Sequence, residues 1–312
     1  MSVPRQTNPA SAADSPDAVP ATMMAVTSRR YGGPDVLAIE TVPTPQAAEG
    51  QLLVRVLGSS ANALDWRLLS GTPLMVRLMM GLRTPKRLIP GADVAGTVVA
   101  VGDAVTGFRV GDAVFGESAG GGFAQFAAID AHGVVPLPDG VSFVAAGATA
   151  VSGLTALQGL RTHGGVKPGD RVLINGAAGG VGSFAVQIAR ILGASEITAV
   201  CSTSNVDQAR ALGATRVIDY TREDFVAVSD EYDVIFDVMG NRTADQIRSI
   251  LAPGARYVAV SGPMKNRFLG PFPHLLAMRF ALRRSDASFH QFTAAPPSTT
   301  STIWRRFSLR AS

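Results

Sequence analysis

The chain has 312 residues, of which 46% are hydrophobic and 17% are charged, so it is excluded from the disordered class and has enough apolar residues for two ordinary domains. Its net charge of +4 is unevenly distributed, because residues 246–312 hold ten Lys and Arg against one acid (+9) and the remainder is −5 (18 basic against 23 acidic). Basicity therefore marks the end of the chain and predicts no anionic partner. The arginines there are spaced and belong to no recognised module, so nucleic-acid binding is not expected.

Cysteine and histidine usage argues against a metal site. The single cysteine, Cys201, excludes a disulfide framework and a cysteine-rich zinc lobe, since both need several thiolates, and it fits a reducing, cytoplasmic location. The four histidines are far apart in sequence and share no ligand spacing: His132, His163, His274 and His290. The sequence therefore predicts no metal.

The first half of the chain has the pattern of a β domain. Residues 1–22 are rich in Ala, Pro and Ser, lack the apolar core of a signal peptide, and are predicted to be a disordered extension. Residues 23–145 contain short β-branched runs broken by Gly, Pro and Asp, which indicate an antiparallel, barrel-like domain. The most apolar stretch, residues 141–160, consists of small residues without flanking aromatic or basic anchors. It is predicted to be a buried helix, not a membrane span.

The rhythm changes over residues 146–275. Apolar runs such as RVLING, ITAVCS, RVIDY, YDVIFDV and RYVAVSG alternate with helical segments at 183–192, 206–212 and 243–251. Apolar strands that alternate with amphipathic helices indicate a parallel sheet covered on both faces. We therefore predict a second, α/β domain in this part of the chain.

A glycine-rich turn opens the α/β region. Residues 171–182 (RVLINGAAGGVG) form a predicted strand and turn that run into a helix. Ala177 stands at the first glycine of the G-x-G-x-x-G pattern, whereas Gly179 and Gly182 hold the second and third. Such glycines let the backbone approach a pyrophosphate at the positive end of a helix. The turn predicts dinucleotide binding, and the alternative is a tight structural turn.

The next strand indicates which dinucleotide binds. An NAD site usually has Asp or Glu about 20 residues after the glycines, but the positions available here are CSTSN at 201–205. No carboxylate there repels a 2′-phosphate, and hydroxyls with the Arg210 guanidinium favour NADPH over NADH. The same run is also a plausible helix N-cap, which is compatible with phosphate binding because it presents free amides.

Six segments resemble the zinc-independent quinone oxidoreductase branch of the medium-chain dehydrogenase/reductases. They are residues 62–66 (NALDW), 90–96 (PGADVAG), 177–182 (AAGGVG), 201–205 (CSTSN), 211–214 (ALGA) and 217–221 (VIDYT). The resemblance implies an α/β protein with a GroES-like β-barrel catalytic domain and a Rossmann doubly wound parallel sheet. NADP(H) and a small carbonyl or quinone substrate would occupy the cleft between them, and a homodimer is a further expectation.

The resemblance also implies a reaction without zinc. Zinc-dependent relatives carry Gly-His-Glu where this chain has Gly91-Ala92-Asp93, together with cysteines that are absent here. Without a Lewis acid to polarise an alcohol, the expected chemistry is hydride delivery from NADPH to a quinone or to the β-carbon of an α,β-unsaturated carbonyl compound.

Site residues follow from the resemblance position by position. Asn62 is expected to bond the nicotinamide ribose or the substrate carbonyl. The cofactor residues are Thr155, Ser261 and Gly262 at the nicotinamide, Gly179, Gly180, Val181 and Gly182 at the pyrophosphate, and Ser202, Thr203, Asn205 and Tyr220 at the adenosine phosphate. Each position has an alternative structural role as a turn former, a helix start or a packing residue.

The acid–base groups are the least determined. Arg67 is a candidate to stabilise negative charge on the carbonyl oxygen, and the alternative is a solvated surface arginine. Asp65 is the third catalytic candidate, either protonated or orienting Arg67; the proton itself could come from water. The Met- and Leu-rich residues 72–89 are either an apolar wall of the substrate site or a packed helix.

The resemblance fades after Arg279. Relatives continue with a helix and a strand that return to complete the first domain, whereas residues 276–312 form an atypical basic tail with no sustained periodicity and no strand to close a sheet. We therefore expect the return to be missing. The competing hypothesis for function is a nucleotide-binding protein without turnover, or an inactive truncated family member.

Overall fold

Two sheets of different kinds organise the chain. The computed structural model describes residues 18–227, 230–264, 266–283 and 285–294, with the backbone alone for Met79. The first seven strands are β1 (Thr22–Ser28), β2 (Leu37–Pro43), β3 (Gln51–Gly58), β4 (Asp93–Val101), β5 (Ala113–Glu117), β6 (Phe126–Asp130) and β7 (Val134–Pro136). The last five of these form an antiparallel sheet of order β6-β3-β4-β5-β7, and β1 pairs with β2 in a separate hairpin.

The core of the first domain follows from strand alternation. Leu52 and Val54 on β3 meet Val94 and Val98 on β4, and all four are buried. Helices α1 (Ala63–Ser70) and α2 (Val76–Met80) lie in the connection from β3 to β4, and α3 (Phe143–Ala146) follows β7. Because α1 begins just after β3 ends, its first turn lies at the edge where β4 starts.

The second domain is a six-stranded, all-parallel sheet. Its strands are β8 (Arg171–Asn175), β9 (Glu196–Cys201), β10 (Arg216–Asp219), β11 (Tyr232–Asp237), β12 (Leu251–Ala259) and β13 (Ser288–Gln291), in the order β10-β9-β8-β11-β12-β13. The helices are α4 (Ala150–Leu157), which continues into a π-helical turn (Gln158–His163), α5 (Gly180–Ile191), α6 (Val206–Ala211), α7 (Ala244–Arg248) and α8 (Phe272–Leu282). Apolar residues fill both faces of the sheet. The order reverses on either side of β8, and ligands bind at the carboxyl ends of strands at such a point.

The predicted fold class is confirmed, with corrections at two helices. The predicted helix at 243–251 is shorter, because α7 ends at Arg248 and Leu251 begins β12. The apolar stretch at 141–160 is divided into α3, α4 and part of the π-helical turn, and most of α4 is buried. Among the described residues, no helix combines the length and apolarity needed to cross a membrane.

The prediction that the tail has no strand to close a sheet did not anticipate β13. This strand extends the parallel sheet beside β12, and the predicted boundary at residue 276 falls inside α8. The sequence SFHQ lacks a long apolar run because β13 is an edge strand, and its Phe289 ring stacks on Tyr257 with ring centroids 5.9 Å apart. Up to residue 294, no described strand returns to the first sheet, and residues 295–312 of the tail lie outside the described part of the chain.

Candidate functional site

The glycine turn places the start of α5 at the carboxyl end of β8. Gly179 is the N-cap of this helix and is exposed, and a β-carbon added to it would lie 3.7 Å from its nearest neighbour, the Gly176 oxygen, so its surface is open. A β-carbon on Gly182 would lie 2.1 Å from the backbone oxygen of Gly176, so glycine is required for the helix to pack against the turn. The free amides and positive dipole of this helix start fit a dinucleotide pyrophosphate.

Hydroxyl groups gather after the neighbouring strand β9. Ser202 Oγ accepts a hydrogen bond from Asn205 Nδ2 at 2.8 Å and lies 3.2 Å from Ser204 Oγ. Thr203 Oγ1 donates to Asp219 at 2.5 Å, and Tyr220, which is exposed, donates its amide to the carbonyl of Cys201. The predicted adenosine-phosphate residues are therefore close together at the ends of β9 and β10.

Asp219 is an acid at this position that spacing along β9 did not indicate. Its carboxylate accepts from the hydroxyls of Thr203 and Thr221 and lies 3.5 Å from the Arg222 guanidinium. These hydroxyl bonds, with the Arg222 charge, lower the pKa of Asp219. The negative charge of Asp219 is thus balanced by the hydroxyl groups and the guanidinium beside it.

A buried network fixes the loops beside the glycine turn. Asn175 at the end of β8 donates to Asp237 at the end of β11 at 2.9 Å, and Tyr257 donates to the other oxygen of Asp237 at 2.7 Å. The amides of Met239 and Gly240 also donate to Asp237. This network, which the sequence did not predict, holds the loop after β11 next to the start of α5.

The predicted catalytic Asn62 lies in a polar cluster around Asp93. Asn62 is the N-cap of α1, and its Nδ2 donates to Asp93 Oδ2 at 2.9 Å. Asp93 is fully buried and also accepts from Ser60 Oγ at 2.5 Å and from the Val151 amide at 2.7 Å. Ser152 Oγ donates to Asn62 Oδ1 at 3.3 Å. These bonds fix the orientation of the Asn62 amide, although burial, partly opposed by its donors, raises the pKa of Asp93.

Ser152 joins this cluster to the cofactor turn. Its side chain is buried, and a β-carbon on Gly180 would lie 2.7 Å from Ser152 Oγ. Asn62 and the start of α5 are therefore separated by one side chain, which places the predicted catalytic and pyrophosphate residues at one site. Ser60 and Ser152 were not predicted, and Asp93 was predicted only as part of a turn motif, because their contacts depend on tertiary structure.

The Asp65 carboxylate accepts hydrogen bonds from backbone amides. It accepts from the Asn62 amide at 2.7 Å and from the Ala92 amide at 3.1 Å, and the residue is buried. The first bond closes the capping box of α1. Asp65 therefore connects the helix start to the turn that precedes β4, and no described bond joins it to Arg67.

Arg67 spans the cleft. Its guanidinium donates to Ser261 Oγ at 2.5 Å, across 194 positions of sequence. Ser261 and Gly262 follow β12, and Gly262 lies against Gly240 in the loop after β11. Thr155, the third predicted nicotinamide residue, lies on α4, and its hydroxyl donates to the Val151 carbonyl one helical turn earlier. The structure therefore shows no bond between Thr155 and Ser261 or Gly262 among the described residues.

A mostly apolar cavity of about 240 Å³ adjoins the site. Asp65 and Ala92 line it, and Asp65 accepts a hydrogen bond from the Asn62 amide, so the cavity lies beside the helix start that carries Asn62. From the segment 72–89, its walls include Met80, Pro85, Arg87 and Ile89. Leu78 and Leu82 are exposed instead, at 71% and 68%. Residues within 80–89 of this segment therefore form part of the cavity wall.

The described residues contain no cluster of three or more His, Cys, Asp or Glu side chains with the geometry to hold a metal ion. The expectation of a reaction without metal stays a prediction.

Comparison with known proteins identifies the family. An alcohol dehydrogenase GroES-like domain matches residues 48–139, and a zinc-binding dehydrogenase domain matches residues 180–295. The chain is 33% identical over 256 residues to the chloroplastic NADPH-dependent alkenal/one oxidoreductase of Arabidopsis thaliana, a match that covers 78% of this chain and 64% of that protein. It thus spans slightly less than two thirds of that relative.

Two further matches agree. The chloroplastic quinone-oxidoreductase QR1 of Triphysaria versicolor is 36% identical over 226 residues, which cover 68% of this chain and 67% of the relative. The structure of the quinone oxidoreductase from Coxiella burnetii superposes with a TM-score of 0.78 at 26% identity, covering 93% of this chain and 88% of that one. By these matches the chain belongs to the medium-chain dehydrogenase/reductase family, in its quinone oxidoreductase branch.

Proposed function

We propose that this chain is an NADPH-dependent oxidoreductase that reduces a quinone or an α,β-unsaturated carbonyl compound. The observation that carries the proposal is the position of Asn62, which Asp93 and Ser152 hold one side chain away from the cofactor turn, at the start of the helix whose Leu64 and Asp65 line the apolar cavity. Relatives named as an NADPH-dependent alkenal/one oxidoreductase and a quinone oxidoreductase support it.

The residues have distinct roles in this proposal. NADPH, when bound, supplies the hydride. The residues at 179–182 hold the pyrophosphate by backbone amides, and the hydroxyls of Ser202 and Thr203, with Asn205 and Tyr220, surround the adenosine phosphate. Ser261 and Gly262 lie on the nicotinamide side, whereas the Thr155 hydroxyl is bonded to the Val151 carbonyl and is assigned no contact there.

The substrate is held by the first domain. Its apolar body occupies the cavity, and its carbonyl lies near the Asn62 amide. Negative charge develops on that oxygen during reduction, and the Arg67 guanidinium, held by Ser261, provides a nearby cation. Asp65 positions the backbone of Asn62 and does not carry a proton to the substrate. Water delivers that proton.

Turnover with defined substrates tests the proposal. Purified full-length chain is mixed with NADPH and, separately, with 1,4-benzoquinone, a naphthoquinone, an alkenal and a cyclic enone, and loss of NADPH absorbance is followed. Saturable oxidation supports a reductase. Saturable NADPH binding with no oxidation of any acceptor supports the competing function, a nucleotide-binding protein without turnover. Sedimentation velocity of the same sample tests the homodimer expected for this family.

Cofactor choice is tested at Ser204, which lies within the hydroxyl cluster after β9. Ser204→Asp adds a carboxylate that repels a 2′-phosphate, so the NADPH/NADH ratio of kcat/KM should fall by about ten-fold or more. Ser204→Asn has nearly the same shape without charge and serves as the control. An equal ratio in the two variants would count against this assignment.

A further inference from the structure

Glu117 lies next to the Asn62 site but belongs to none of the predicted roles. It is the last residue of β5 and stands directly opposite Asp93 on β4. Side chains at opposed positions of antiparallel strands point to the same face. Glu117 therefore faces the side of the sheet where Asp93 binds Asn62. Its Oε2 atom is buried and has no hydrogen-bond partner among the described residues.

The three carboxyl groups in this region differ in how well a charge is supported. Asp93 accepts from a hydroxyl, a side-chain amide and a backbone amide, and Asp65 accepts from two backbone amides. Such donors stabilise a carboxylate, whereas the buried Oε2 of Glu117 receives none from the described part of the chain. Burial, with the charges of Asp93 and Asp65, raises the pKa of Glu117 to about 7.

The four described elements with the most extensive contact to β5 carry no cation that offsets this effect. These elements are β4, β7, α3 and α4. Asp93 is the one titratable residue of β4, and β7, α3 and α4 contain none. His132, in the turn before β7, is exposed. Outside these elements, Asp65 and Arg67 lie on α1, and Arg87 lies next to Gly120, three residues after Glu117. On the four elements themselves, protonation of Glu117 is the means by which a second negative charge opposite Asp93 is avoided.

We propose that Glu117 is a positioning residue for the reduction, and that its proton prevents a second carboxylate charge opposite Asp93, the anion that orients the side chains of Ser60 and Asn62. When Glu117 releases this proton to solvent, its carboxylate lies against Asp93 and adds repulsion where negative charge develops on the substrate oxygen. This inference rests on the proposed function, since it assigns the effect to the same site. Turnover should consequently fall as the pH rises through the pKa of Glu117.

The test compares wild type with Glu117→Gln, which has a similar shape and cannot ionise. From about pH 6 to about pH 9, kcat of wild type should fall by about ten-fold, while the kcat of Glu117→Gln changes by less than about two-fold. The pH dependence of KM for NADPH should be the same in wild type and Glu117→Gln. Glu49→Gln, at an exposed position of the same domain, is the matched control and should retain the wild-type profile. Glu117→Met is the second non-ionising variant if Glu117→Gln does not fold.

A readout without turnover separates this inference from the proposed function. Infrared titration of the wild-type protein should show a protonated carboxyl band that disappears near pH 7 and is missing in Glu117→Gln. A protein that shows this band but fails to oxidise NADPH with any of the four acceptors contradicts the proposed function and supports the protonated state of Glu117. Absence of the band, or a pH profile of kcat that is identical in Glu117→Gln and wild type, overturns the inference.

Discussion

Asp93→Asn is the most informative single substitution at this site. The carboxylate is buried and accepts three hydrogen bonds, from Ser60, Asn62 and the Val151 amide. Asparagine keeps the shape but replaces one acceptor oxygen by an NH₂ group. The least costly orientation keeps the oxygen opposite the Val151 amide and lets Ser60 accept from the new NH₂. The Asn62 amide then loses its acceptor on residue 93.

The expected magnitude follows from these contacts. A donor left without a partner costs about 1–3 kcal/mol when it is fully buried, and Asn62 is half-buried. The substitution also removes a carboxylate whose pKa is raised by burial, which offsets part of this cost. The free energy of unfolding should therefore fall by about 1–2 kcal/mol. Because the Asn62 amide keeps only its bonds with Ser60 Oγ and Ser152 Oγ, at 3.2 and 3.3 Å, its orientation is less fixed and kcat should fall by about ten-fold or more.

Urea unfolding and NADPH oxidation measure the two effects on the same samples. The unfolding midpoint should fall without a change in m, since the fold and its exposed surface are retained. Asp130→Asn is the control, because Asp130 is exposed and accepts one bond, from Gln51 at 3.1 Å. It should change the free energy of unfolding by less than about 0.5 kcal/mol. Asp93→Asn with the midpoint and kcat of that control would refute the proposed arrangement.

Two further predictions concern the parallel-sheet domain. Gly182→Ala should destabilise by about 2–4 kcal/mol in urea, because its β-carbon would lie 2.1 Å from the Gly176 oxygen. Gly179→Ala, whose β-carbon would lie 3.7 Å from its nearest neighbour, should keep its unfolding midpoint and bind NADPH about ten-fold more weakly by calorimetry; equal midpoints in the two variants would contradict the steric argument. Burial lowers the pKa of His163 below 6.5, so its contribution to stability is present above that pH and is lost as the pH falls. His163→Phe, which can keep the stacking on Phe292 seen at a centroid distance of 4.4 Å, should reduce this acid-side loss in melting curves, and an unchanged slope would argue against it.

The sequence was sufficient for the elements whose signal is local. Apolar runs of β-branched residues predicted β1 to β12, because most of these runs bury at least one face; in β2, Val42 alone is buried. The glycine turn was predicted from the strand, the glycines and the helix that follow one another at 171–191. In contrast, β13 was missed because an edge strand with one stacked aromatic residue needs no long apolar run.

The chemistry of the site was predicted in part, because its contacts join distant positions. Asn62 was predicted, but its partners Asp93 and Ser152 lie 31 and 90 residues further along the chain. Arg67 was predicted with an alternative as a surface residue, and its bond to Ser261 spans 194 residues. No periodicity or spacing encodes such pairs, since Asn62 and Asp93 meet through the tertiary structure of the first domain, and the bonds of Ser152 and Arg67 join the two domains.

The bonds between the two sheets have a consequence for how the site works. Asp93, at the start of β4, accepts from the first turn of α4, which packs on α5 and hence on the cofactor turn. On the other side of the cleft, the Arg67 bond is reinforced by backbone bonds from Leu74 to the Arg267 carbonyl and from Met75 to the Phe268 carbonyl. The domains are therefore joined on both sides of the site. On the first side, the Val151 amide of the second domain binds Asp93, and the Asp93 carboxylate orients Asn62. A change in the separation of the domains must therefore also alter the orientation of the Asn62 amide. Cofactor binding on α5 and substrate orientation by Asn62 are thus coupled through Asp93, Val151 and Ser152, and a substitution in this chain of contacts should change both KM for NADPH and kcat.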